Sequence, residues 1–236
     1  MTTARIAILA AIAVLGVSCR SSLPPSAIDP SLAAQVPSAA TILAGVNLER
    51  IRNSPIGSKL PPIVSQFLDA WKEARTALVA SDGANYLVLS PGRPAMGVPD
   101  WVRAAVSPHG PTNPLLPRAE PLAADSDIWI VAAGSANLPL TGNGENLARL
   151  VHTTEYTTLR VKLADEIAIE IAGVCGSDQI ARQLGEQLRG FLMLGTAAAG
   201  RQPALSALLK RIHVTREDRV VHVKLTASPA ELGTML

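Results

Sequence analysis

The sequence predicts an α+β fold, an antiparallel sheet made of hairpins and packed by amphipathic helices on one face. Three observations carry this. Residues 156–174 and 212–227 each pair two runs of alternating apolar residues across a short polar turn. Residues 58–78 and 177–192 carry apolar residues at helical spacing. Strands and helices come in blocks rather than in strict alternation, which argues against a parallel sheet.

At 236 residues, 48% hydrophobic and with a mean hydropathy of +0.26, the chain has material for one large domain or two small ones. Aromatic residues make up only 3%, so the core must be built from Ala, Leu, Ile and Val. The formal charge is +2, from 21 basic and 19 acidic residues. The basic residues are scattered, with no aromatic platform among them, which gives no case for a nucleic-acid partner.

In chain order, residues 1–18 read as a secretory signal peptide. Arg5 supplies the positive start, and Ile6 to Leu15 form an apolar stretch of about ten residues, too short to span a bilayer. Residues 19–38, rich in Ser and Pro and without periodicity, read as a flexible tether. A first half, residues 39–90, opens with a buried strand at "AATILAGVN" and a helical turn at "LERI". The stretch "SKLPPIVSQFLDAWKEARTAL" then places Ile63, Val64, Phe67, Leu68, Trp71, Ala74 and Leu78 on one helical stripe. After a turn at Ser81-Asp82-Gly83, "ANYLVLS" is a short strand.

Residues 91–126 form a Pro-rich connection holding two short helical pieces, "PDWVRAAV" and "NPLLPRAEPLA". Its sharper reading is a partner-binding loop. The second half, residues 127–236, opens with a strand at "DIWIVAAG" and a short helix capped near Asn143. In the hairpin that follows, a three-residue loop at 164–166 pairs Leu159, Val161 and Leu163 with Ile171, Ile169 and Ile167. The same register sets Arg160 across from Glu170 on the outer face. Ser177 caps a long helix with Ile180, Leu184, Leu188, Phe191 and Leu192 as its stripe, and a further helix starts at Pro203. A last hairpin, with its turn at Glu217 and Asp218, sets His213 across from His222. The chain closes on a capping box at Ser228 and Glu231. Both halves open with a strand leading into a helix, the pattern a diverged duplication would leave.

The residues "LGVSC" from Leu15 to Cys19 resemble the lipobox of bacterial lipoproteins. The resemblance implies that Cys19 is diacylated and holds the chain to a cell-envelope membrane, facing the periplasm. Gly16 stands where that family carries its leucine, and Leu15 lies one residue earlier. Gly16-Val17-Ser18 also fits ordinary signal-peptidase cleavage, which leaves soluble secretion as the alternative. Acylation would also rule out a disulfide to Cys175, the other cysteine, which reads as a buried core thiol. "TILAGVNLERI" and the closing hairpin with "SPAEL" resemble uncharacterised exported bacterial α+β proteins, a resemblance that carries no activity.

Candidate chemistry is sparse. His213 and His222 would supply two metal ligands where a site wants three or four, so they read as exposed strand residues and no metal is expected. His109 and His152 have no catalytic partners in the local sequence. The carboxylate pairs Asp165-Glu166 and Glu217-Asp218 are turn residues. "TGNGEN" lacks the lysine and length of a phosphate loop, and no nucleophile elbow, zinc-protease or Cys-x-x-Cys motif occurs. The expectation is a membrane-anchored lipoprotein without cofactor or catalytic residues, binding another envelope protein or serving envelope assembly. The alternatives are a carrier of a small apolar ligand and, third, an unrecognised hydrolase. A deep apolar cavity would favour the carrier and an exposed apolar patch the binder.

Overall fold

The computed structural model describes residues 27–57, 68–106, 111–137, 149–229 and 231. Nine strands form one antiparallel sheet: β1 (Ile42–Asn47), β2 (Thr76–Ser81), β3 (Tyr86–Leu89), β4 (Met96–Gly97), β5 (Ile128–Ala133), β6 (Thr154–Leu163), β7 (Ile167–Cys175), β8 (His213–Glu217) and β9 (Val220–Ala227). The spatial order is β4-β3-β2-β1-β5-β6-β7-β9-β8. The described helices are α1 (Pro30–Ala33), α2 (Leu48–Asn53), α3 (Pro99–Val106), α4 (Leu116–Asp125), α5 (Asp178–Ala198) and α6 (Pro203–Lys210). The chain is therefore α+β. Its two sequence halves meet in a single sheet, because β1 pairs with β2 on one side and β5 on the other.

Alternation sorts the strand residues onto two faces. On the first, Leu43, Leu78, Ala80, Leu87, Leu89, Trp129 and Val131 form the main core with Leu32 of α1, Ala105 of α3 and Leu116 and Ala119 of α4. Gly45 pairs with Trp129 across β1 and β5, and the indole lies flat over it. A methyl group on Gly45 would sit 2.2 Å from the ring. On the second face, Leu48 and Ile51 of α2 pack on Ala77, Val46 and Ile128, while Ala181, Leu184 and Leu188 of α5 pack on Cys175, Val221 and Val214. The expected one-sided packing holds across the second half, where, beyond the contact of α4 with Tyr156, the described residues leave the polar first face uncovered. Across the first half, helices cover both faces.

Asn113, buried at 1% exposure, ties the Pro-rich segment to the start of β1. Its amide donates to the Pro37 and Ala40 carbonyls at 2.8 and 2.9 Å, and its oxygen accepts from Leu115 N–H at 2.9 Å. The Arg118 guanidinium lies 4.2 Å from the Tyr156 ring centre, tying α4 to β6.

Three elements differ from the sequence reading. The stretch read as a flexible tether is folded from residue 27 on: Asp29 caps α1, and Ile28, Leu32 and Val36 are buried in the main core. The helical stripe expected to run through Leu78 stops earlier. Residues 68–70 are helical, Leu68 and Ala74 are buried, and the chain then enters β2, where Leu78 pairs with Gly45. The short run Thr76–Ser81 is apolar on both faces, so alternation does not mark it out, and burial between β1 and β3 decides its form. Ile63, Val64, Phe67, Asn143 and residues 1–26 lie outside the described residues.

The last hairpin also shifts register. Its turn is the two-residue step Asp218-Arg219, with Asp218 at φ 49°, so Val214 pairs with Val223 rather than Val221. Asp is among the few side chains that tolerate this left-handed geometry, which tight hairpin turns require.

Candidate functional site

The bare face of the second half carries a charged basin of about 240 Å³, lined by Asp125, Arg160, Lys162, Glu170, Lys224 and Thr226. At its centre is Glu170, opposite Arg160 as the hairpin register requires. Arg160 donates to Glu170 Oε2 through Nε at 2.8 Å and also through Nη2. Lys224 Nζ lies 3.4 Å from Oε1, and His222 Nδ1 lies 3.0 Å from the same oxygen. Lys162 Nζ pairs with Asp125 Oδ1 at 2.7 Å. Burial opposes the charge on Glu170. The Arg160 contacts, aided by His222 and Lys224, outweigh it and hold the carboxyl below the usual glutamate range. Lys162, by hydrogen bond and charge, likewise holds Asp125 low. Each cation in this basin therefore already has a carboxylate partner.

Apolar surface gathers elsewhere, at the far end of α5. This helix starts at the Ser177 cap, which accepts from Ile180 N–H at 3.2 Å; Leu184 and Leu188 of the expected stripe reach the core, whereas Ile180 is exposed and Ala181 packs in its stead. Beyond Leu188 it contributes nothing further to that core cluster and pairs instead with α6. Phe191, Met193 and Leu194 are 51%, 71% and 67% exposed. Periodicity placed Phe191 on the core stripe, and it does share that side with Leu184 and Leu188. The helix runs on for about 15 Å past Leu188, at 1.5 Å per residue, so the stripe outlasts the sheet beneath it. In α6 no residue is fully buried.

The other singled-out residues do not converge. Among the described residues no group of three or more His, Cys, Asp or Glu side chains is placed to hold a metal. His213 faces Lys224 and His222 faces Thr215, so the two rings sit diagonally rather than opposite, a result of the shifted turn. His152 Nδ1 lies 2.6 Å from the Gly134 carbonyl. Cys175 is a free, fully buried thiol, and burial, with a smaller push from Glu155, raises its pKa. Asp165 and Glu166 sit in the β6–β7 turn. Ser228 and Glu231 form the expected capping box, Glu231 accepting from Ser228 N–H at 2.8 Å. Cys19 and His109 lie outside the described residues.

A hollow of about 290 Å³ opens beside Trp71, Val88, Arg93, Pro94 and Met96, where the Arg93 guanidinium lies 5.0 Å from the Trp71 ring centre. No described helix is long and apolar enough to cross a membrane.

No family model matches the chain, and no curated protein matches it. Among solved structures, it is similar to two crystal forms of the Treponema protein TP0453, form III at TM-score 0.45 and form I at 0.46. Both matches are 12% identical and cover 88% of this chain, with 97% and 96% of the other chain. Likeness at this level carries nothing about what the chain does.

Proposed function

We propose that the chain is an exported lipoprotein, held to an envelope membrane through Cys19, whose folded domain acts by binding an envelope component rather than by catalysis. The supporting observation is the exposed apolar end of α5, where Phe191, Met193 and Leu194 stand more than half accessible. Large apolar side chains clustered in water mark a surface that meets something. The lipobox-like Leu15–Cys19 segment and the Ser- and Pro-bearing residues 20–26 that separate it from the folded domain support the anchor.

Cys19→Ala tests the anchor. The variant should leave the membrane fraction and take up no labelled fatty acid, whereas unchanged membrane retention would overturn the reading.

A second reading, the carrier of a small apolar ligand, is favoured by the second face of the sheet. There Val79, Ala44, Ile130, Leu159, Ile171 and Val223 form one row across six strands, all only half-buried. Native mass spectrometry of the purified protein tests it. A retained lipid-sized mass would favour the carrier, and a bare chain would leave the binding surface as the reading.

A further inference from the structure

We infer that the projecting end of α5, together with α6, lies on an anionic lipid bilayer. This deepens the anchored reading by naming the bilayer itself as what the exposed surface meets.

The residues Phe191-Leu192-Met193-Leu194 are consecutive. At 100° per residue, four consecutive apolar side chains encircle a helix and leave it no polar side. A helix of that kind belongs inside a core or against lipid. Here it lies beyond the core, and three of the four side chains are more than half exposed. Ile180, at 38% exposure, together with Phe191, Leu194 and Ala198, falls on one flank of α5, at offsets of 0, 11, 14 and 18 residues. Alongside, α6 offers Leu205, Leu208 and Leu209, all only partly buried, with Leu209 set against Gly195 of α5. The pair is thus a short helical hairpin with apolar surface on both members.

Charge selects the occupant. From Gln187 to Arg216 the sequence carries Arg189, Arg201, Lys210, Arg211 and Arg216 and not one Asp or Glu. Arg211 pairs with Glu231 and Arg216 with Asp178. Arg189, Arg201 and Lys210 have no carboxylate partner among the described residues. Basic side chains beside exposed Phe, Met and Leu are the chemistry of a helix lying in the interface of an anionic membrane. A second copy fits less well, since a two-fold contact would set these same cations against each other. The proposed anchor would keep the domain within tether reach of such a surface.

The test uses the full exported chain, reconstituted into vesicles of phosphatidylcholine with or without phosphatidylglycerol. An environment-sensitive fluorophore is placed at Met193→Cys or, as a control on the polar face of the sheet, at Thr226→Cys. The probe at position 193 should shift to shorter wavelength on phosphatidylglycerol vesicles and be quenched by spin-labelled lipid, while the one at 226 stays unchanged. Adding Phe191→Ser and Leu194→Ser, both at exposed positions, should lower the inserted fraction about tenfold for each side chain withdrawn. An equal response on neutral vesicles would overturn the proposal. So would a shift that needs no vesicles and grows with protein concentration, since it would identify a second copy as the occupant. No response at 193 from an acylated, vesicle-bound chain would overturn it while leaving the anchor standing. Intact mass reports acylation separately: an unmodified Cys19 overturns the anchor, and the probe then reads the helices alone.

Discussion

At the scale of single residues, Gly45 and Asn113 hold the first half together, and Glu170 organises the bare face of the second. The Trp129 ring occupies the space a Gly45 side chain would need. Gly45→Ala should therefore cost about 1–3 kcal/mol through overpacking, measured by chemical denaturation with a change in tryptophan emission. Asn113→Ala removes the side-chain partners of the buried Ala40 carbonyl and the buried Leu115 N–H and should cost about 1–3 kcal/mol in the same assay. For Glu170 the folded-state pKa is lowered, so its ionisation stabilises the fold above the ordinary glutamate range, and that contribution is lost as pH falls through the folded value. Glu170→Gln should be less stable than the parent at neutral pH, and the gap should narrow as the pH is taken below the ordinary glutamate range. A gap that does not change with pH would count against the charge network. The Arg160–Glu170 pair was legible in the sequence because a three-residue loop and two clean alternations fix the register. The diagonal placement of His213 and His222 was not, because it depends on one left-handed residue, Asp218, whose conformation no periodicity announces.

At the scale of elements, the last hairpin and α5 show what pattern reading can and cannot reach. Asp218→Gly removes the cost of a positive φ and should keep or raise the melting temperature. Asp218→Val should lower stability by about 1–2 kcal/mol, the cost of a left-handed L-residue, and circular dichroism melts would measure both. The capped start of α5 and the core contacts of Leu184 and Leu188 follow from Ser177 and the apolar spacing, though Ala181 packs in place of Ile180. Its exposed end does not, since periodicity reports which side of a helix is apolar but not where the sheet beneath it ends. The reverse error hid β2, where Trp71, Ala74 and Leu78 continue a helical spacing that pairing with β1 overrides.

For the whole molecule, the decisive feature is the continuous sheet. Because β1 joins both halves, unfolding followed by far-ultraviolet dichroism and by tryptophan emission should give one coincident transition. Two separated transitions would mean that the halves fold on their own. The strand order also sets a schedule for a chain that emerges N-terminus first. β1 meets β2 within a few tens of residues, while its other edge must wait for β5, which begins at Ile128. Until then Ile42, Leu43 and Val46 lie along an unpaired strand edge that any passing chain could extend. The newborn chain therefore passes through a sticky stage, which ends only when the Pro-rich segment has emerged and β5 behind it closes the free edge of β1.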